Sequence, residues 1–145
     1  MELLSMEISA GMVLFRKDNK KIFYLLLHYE NRETGKKHWD FPKGHIKKRE
    51  TLEKTALMEL KEETGIKGPR FVKGFKETIN YFFKKGGKLI SKKVIFFLAE
   101  SDQEHVKLSF EHIGYKWLPY EEAVEQVTFK NAKQVLEKAN KALLE

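Results

Sequence analysis

Three glutamates, Glu59, Glu62 and Glu63, fall within one stretch of helix-forming residues, Leu52 to Thr64. Advancing about 100° per residue, Leu52, Ala56, Leu60 and Leu57 share one arc and mark the buried face, while Lys54 and Lys61 lie away from it. Glu59 and Glu63 border or enter that apolar arc, and Glu62 lies farther round. Burying an unpaired carboxylate is costly, and like charges three or four residues apart on a helix repel by about 0.2–0.5 kcal/mol per pair. Only Glu63 has a lysine four residues away, Lys67, and that lysine stands beyond Gly65. Pairing along the helix therefore leaves the cluster unneutralised. Magnesium, or manganese in its place, answers this pattern, because such ions prefer oxygen ligands and commonly bridge a few carboxylates, several waters and substrate phosphates. Carboxylates on consecutive turns then supply two functions: holding a metal against phosphate oxygens and taking a proton from attacking water.

The elements around this helix follow from local signals. Thr51 is placed to cap its start, and Gly65 stands where a left-handed C-terminal cap belongs. Before it, Ile8 to Phe15 and Ile22 to His28 form a hairpin across the turn Lys17 to Lys20, after a loose lead-in of five residues. The segment from His38 to His45 contains Pro42 and Gly44 and reads as a binding loop without a regular element, dense in aromatic and basic residues. After the helix, Phe71 to Phe83 and Val94 to Ala99 form a second antiparallel pair, followed by a short strand over Tyr115 to Leu118. A short helix starts at Pro119, and a longer one runs from Asn131 to Leu144 with Val135, Leu136, Ala139 and Leu143 at helical spacing. This order predicts an α+β fold, a mixed sheet covered by helices, as one domain over residues 1–145.

Composition narrows the class of function. The chain has 145 residues and no cysteine, which excludes disulfides, thiolate nucleophiles and cysteine-ligated zinc. No apolar run approaches the roughly 20 residues of a membrane span, and the start does not resemble a signal peptide; a cytoplasmic protein without a membrane partner is expected. The net charge of +7 points to a polyanionic partner, whether nucleic acid, a membrane surface or a small phosphorylated molecule, and charge alone does not choose between them. The 24 Lys against 4 Arg and 18 Glu against 3 Asp match a bias of hyperthermophiles.

Gly44, five residues, Glu50, seven residues and then Met58-Glu59-Leu60-Lys61-Glu62-Glu63-Thr64-Gly65-Ile66 resemble the signature box of the Nudix hydrolases at every position but one. The family carries Arg where this chain has Met58, and that Arg neutralises and orients box glutamates, so the pairing of Glu62 and Glu50 here is open. The resemblance implies a Nudix-like α/β/α sandwich and hydrolysis of a phosphoanhydride. It further implies that Glu59 and Glu63 act as metal ligands or water-activating base, that Glu62 is a further ligand, and that Glu50 is a structural carboxylate.

Beyond the box, the chain resembles the asymmetrically cleaving diadenosine tetraphosphate hydrolases of the animal and archaeal type. The similar stretches are His38-Trp39 with Pro42-Lys43-Gly44-His45, Gly74-Phe75-Lys76-Glu77 leading to Tyr81, Lys92 before Val94, Ser109-Phe110-Glu111-His112 leading to Tyr115-Lys116-Trp117, and Phe129-Lys130. By that resemblance Tyr81 and Phe129 sandwich an adenine. Lys43, His45 and Lys92 contact the phosphate chain, His38 belongs to the site, and Glu111 lies near the metals. The implied substrate is a nucleoside polyphosphate, split into ATP and AMP in the case of diadenosine tetraphosphate. Other readings within the family are a capped RNA 5′ end, an inositol pyrophosphate or a nucleoside triphosphate. Met58 admits one of another class, a weakened module that binds nucleotide or RNA.

Overall fold

In the computed structural model, which describes residues 3–47 and 49–145, the first strand turns back on itself through two left-handed residues. Asn19 (φ 49°) and Lys20 (φ 68°) form the two-residue turn whose twist suits an antiparallel hairpin. It joins β1 (Leu3–Asp18) to β2 (Lys21–Glu30), with Asp18 opposite Lys21. Of the loose lead-in expected over the first five residues, residues 1 and 2 lie outside the described residues, and β1 already begins at Leu3.

β1 also runs parallel to β7 (Lys88–Glu100), from Leu3 opposite Leu89 to Phe15 opposite Glu100, and helices cover the sheet on both faces. Ala10, Met12 and Leu14 point to one core, Val13 and Phe15 to the other. The unbroken buried run Val94 to Ala99 in β7 has the same cause. On one face α1 (Leu52–Thr64) contributes Ala56 and Leu60. On the other, α2 (Tyr120–Gln126) and α3 (Lys130–Leu144) contribute Ala123, Ala132, Val135, Leu136 and Ala139. The expected α+β sandwich with a mixed sheet is thus observed, and among the described residues no helix is long and apolar enough to cross a membrane.

Two stretches depart from their sequence reading. His38 to His45 carries two short strands, β3 (Lys37–Asp40) on β2 and β4 (Lys43–His45) on β1. Pro42 breaks them apart, but its carbonyl accepts from Met12 N (3.0 Å), so the chain passes from one partner strand to the next without losing contact with the sheet. Phe71 to Phe83 is not one strand: β5 (Arg70–Phe71) and β6 (Glu77–Lys85) both pair with β7. Between them Gly74 at φ 88° takes the chain out of the extended region. The last strand, β8 (His112–Pro119), is longer than expected and pairs with β2.

Candidate active site

Both caps of α1 are made as the sequence predicts. Thr51 accepts from Lys54 N (3.1 Å), and Gly65, at φ 76°, donates to Lys61 O (2.8 Å). Thus fixed, the helix lays Glu59 across β4. Gly44 sits there opposite Ala10 of β1, and a Cβ built on it would fall inside the Glu59 carboxylate. Only glycine lets strand and glutamate approach so closely. Burial, then the neighbouring Glu63 and Glu62, push the Glu59 carboxyl up to about 7, with Lys47 opposing and Glu111 adding.

One turn on, Glu63 is only 4% exposed. Burial raises its pKa, against the downward pull of His112 and of the Lys43 backbone amide. His112 Nε2 lies 3.3 Å from Glu63 Oε2, at an angle that makes no hydrogen bond, so this buried oxygen keeps its lone pairs uncommitted. Behind them stands Tyr29, edge-on to the His112 ring at 4.6 Å, its hydroxyl donating to Phe41 O (2.7 Å). Burial and then the Glu63 charge hold the Tyr29 phenol well above its ordinary range.

Glu59 and Glu63 face a cleft of about 530 Å³ whose lining includes Lys43, His45, Lys92 and Glu111. Glu62 is not brought to it: it is exposed and pairs with Lys47 Nζ (3.3 Å). Glu111, exposed in the loop before β8, and Glu30 at the end of β2 also bring carboxylates to the cleft. Lys92 is half-buried on β7 between Glu7 and Tyr81, and burial followed by Lys43 lowers its pKa.

A second cavity, about 470 Å³, is walled by His38, Ile79, Tyr81 and Phe129. Tyr29 and Lys43 line both cavities. His38 stacks flat on Tyr29 (4.9 Å, 4°) and lies 5.3 Å from Phe129. Lys43 Nζ donates to Asp40 Oδ2 (2.8 Å), a carboxylate only 3% exposed that also accepts from Phe41 N. Burial works against the Lys43 ammonium, but Asp40 outweighs it and its pKa is raised.

A model of the NUDIX domain matches residues 6–139. The chain belongs to the Nudix family. It is 36% identical over 145 residues to the asymmetrical bis(5′-nucleosyl)-tetraphosphatase of Mus musculus, covering 93% of this chain and 94% of that one. The enzyme of the same description from Caenorhabditis elegans is 32% identical over 133 residues, covering 90% and 91%. A crystal structure of a C. elegans Ap4A hydrolase binary complex superposes with a TM-score of 0.82 at 31% identity, over 95% of this chain and 98% of that one. This Nudix chain is a hydrolase by that relationship.

Nudix hydrolases generally use divalent metals such as magnesium, and the donors here can be tested against one. Among the described residues, no three His, Asp or Glu side chains converge into a complete cation cage. Magnesium needs none: it keeps several waters and takes one or two carboxylates plus substrate phosphates. The uncommitted Oε2 of Glu63 and the Glu59 carboxyl at the same cleft fit such a partly hydrated ion.

Four residues of this site were not singled out from the sequence: Tyr29, Asp40, Lys47 and His112. Asp40 had a readable signal, an acid three residues before Lys43 in a Pro-containing turn. The others lie on separate elements and meet only in the fold.

Proposed function

We propose that this Nudix hydrolase splits diadenosine tetraphosphate with water, giving ATP and AMP. One observation carries the reading: the cleft that holds Glu59 and Glu63 shares Tyr29 and Lys43 with a neighbouring aromatic pocket. A mononucleotide end and a polyphosphate chain thus have adjoining places. The names of the mouse and C. elegans relatives support the choice of substrate.

In this reading an adenine enters between Tyr81 and Phe129, beside His38. Flat rings suit any base, so stacking supplies affinity without much choice among bases. Lys43, Lys92 and His45 take phosphate oxygens, where cations help because charge accumulates on several oxygens. Lys43 keeps Asp40 as its partner and meets the phosphate with its remaining donors. Glu59 and Glu63 would hold magnesium, with Glu111 at the same cleft and Glu62 drawn to the outer face by Lys47. Bound there, the ion supplies neutralisation of phosphoryl oxygens and a lowered pKa for the attacking water. One of the two helix carboxylates, Glu59 or Glu63, takes the water proton as the oxygen attacks phosphorus and the bridging P–O bond breaks. The leaving phosphate departs as the terminus of ATP or AMP.

Product analysis by chromatography tests this directly. Equal amounts of ATP and AMP from diadenosine tetraphosphate and magnesium are expected, with turnover lowered by orders of magnitude in Glu63→Gln while the far-UV spectrum is unchanged. Two ADP, no products, or full turnover by Glu63→Gln would overturn it.

A further inference from the structure

The carboxylate cleft does not end at the carboxylates. Arg32, on its rim, also lines a further cleft of about 600 Å³ between the 31–34 turn and the tip of the β6–β7 hairpin. Both walls are built rather than loose. Asn31 Oδ1 accepts from Glu33 N (2.9 Å) and Thr34 N (3.2 Å), and Gly35 N closes the turn on Asn31 O (2.7 Å). Opposite, Gly86 (φ 58°) and Gly87 (φ 77°) make a two-residue turn, with Lys85 opposite Lys88.

Arg32, Lys84 and Lys85 front this cleft against a single acid, Glu33. Among the described residues none of the three cations has an ion-pair partner, whereas Lys37, Arg70 and Lys138 elsewhere on the surface do. Arg32 is held in place by its bond to Phe110 O (3.3 Å) and by lying 5.5 Å over the Phe110 ring. Phe83 supplies an aromatic wall. It follows Tyr81 on the same face of β6, with ring centroids 6.3 Å apart. Unneutralised cations converging beside a ring make a site for a charged chain that ends in a flat group.

The geometry points to this outer cleft as the place of the distal nucleotide: Arg32, Lys84 and Lys85 take the phosphates beyond the broken bond, and the second base lies on Phe83. This rests on the dinucleotide reading above. Hydrolysis of diadenosine tetraphosphate is compared with that of adenosine 5′-tetraphosphate, which has the same phosphates and no second base. Phe83→Leu should lower the ratio of kcat/KM for the first substrate over the second by roughly tenfold, the scale of one base stacked on a ring. Lys84→Gln with Lys85→Gln should raise KM for both substrates and flatten its dependence on salt. An unchanged ratio in Phe83→Leu together with an unchanged KM in the double lysine variant overturns the outer site. Failure of the unmodified protein to split diadenosine tetraphosphate overturns the dinucleotide reading instead. Because both lysines are exposed, their variant keeps the test valid even where Phe83→Leu does not fold.

Discussion

Replacing Gly44 by alanine adds one methyl group where the fold has no room for it. The new Cβ would fall on the Glu59 carboxylate, with Glu59 Cγ 2.6 Å away where ordinary contact begins at 3.4 Å. Gly44 is not among the residues with positive φ, so alanine meets no backbone strain and the cost falls on Glu59. That side chain must withdraw by about an ångström, and a displacement of this size in a reacting group costs about 10²-fold. The loss corresponds to about 2.7 kcal/mol of transition-state stabilisation. Stability should change little, because Glu59 is only half-buried and its carboxyl is already disfavoured as an anion. The assay is kcat/KM with saturating magnesium, together with Tm, in Gly44→Ala made alone and made on Glu59→Gln. In the second background the methyl should cost almost nothing further, because the group it displaces has already lost its function. A rate within threefold of the unmodified protein, or an equal loss in both backgrounds, would refute the reasoning.

Burial and Glu63 hold Glu59 at about 7 against an ordinary 4.5; the folded state thus favours the protonated acid, and this group's contribution to metal-free stability declines as pH rises from about 4.5 through 7. Magnesium favours the ionised form, so its affinity should rise up to about pH 7 with release of a proton, read by titration calorimetry at pH 6.5 in buffers of different ionisation enthalpy; no proton release would contradict it. Asp40→Asn leaves the Lys43 ammonium without its carboxylate. Because Lys43 borders an open cleft, the low end of the usual penalty applies, about 3 kcal/mol, or a Tm lower by roughly 6–12 °C; a shift under 2 °C would sink the assignment. Lys47 already occupies Glu62, so Met58→Arg should change kcat/KM little in the unmodified chain and should restore Lys47→Ala, whose own loss is at most about fivefold for an exposed pair. A large gain from Met58→Arg alone would mean instead that the chain has a degraded site.

The sequence reading worked where the physics is local. Thr51, Gly65 and the apolar repeat Leu52-Ala56-Leu60 determine α1 within its own residues, so the position of the carboxylates could be read without a fold. Strand boundaries could not be, because they depend on partners. Residues 38–45 look like a loop until β2 and β1 are present to receive them, and the break at Gly74 matters only because β7 pairs with what comes before and after it. The same holds for charge: Glu62 finds Lys47 upstream and Glu63 finds His112 far downstream, so arithmetic along the helix saw an unneutralised cluster and could not name what borders it.

Tyr24 and Tyr29 show the limit most sharply. Both lie on β2, five residues apart, and neither has a neighbouring motif. Tyr24 is fully buried and donates to Asn140 Oδ1 (2.8 Å), so it only holds α3 to the sheet. Tyr29 stands at the end of the same strand, where β2 meets β3 and β8, with His38 flat against one side and His112 edge-on at another. Phe129, His38, Tyr29, His112 and Glu63 therefore touch in sequence, each from a different element, and the wall between the aromatic pocket and the carboxylate cleft consists of these side chains. Packed rings do not compress, and the Tyr29 hydroxyl is tied to Phe41 O. In the reading proposed above, the spacing between a base stacked on Phe129 and the Glu63 carboxylate is thus set by these ring contacts and by one hydrogen bond. A dimension of that kind is encoded by five residues dispersed along the chain, which is why it becomes visible only once the strands are paired.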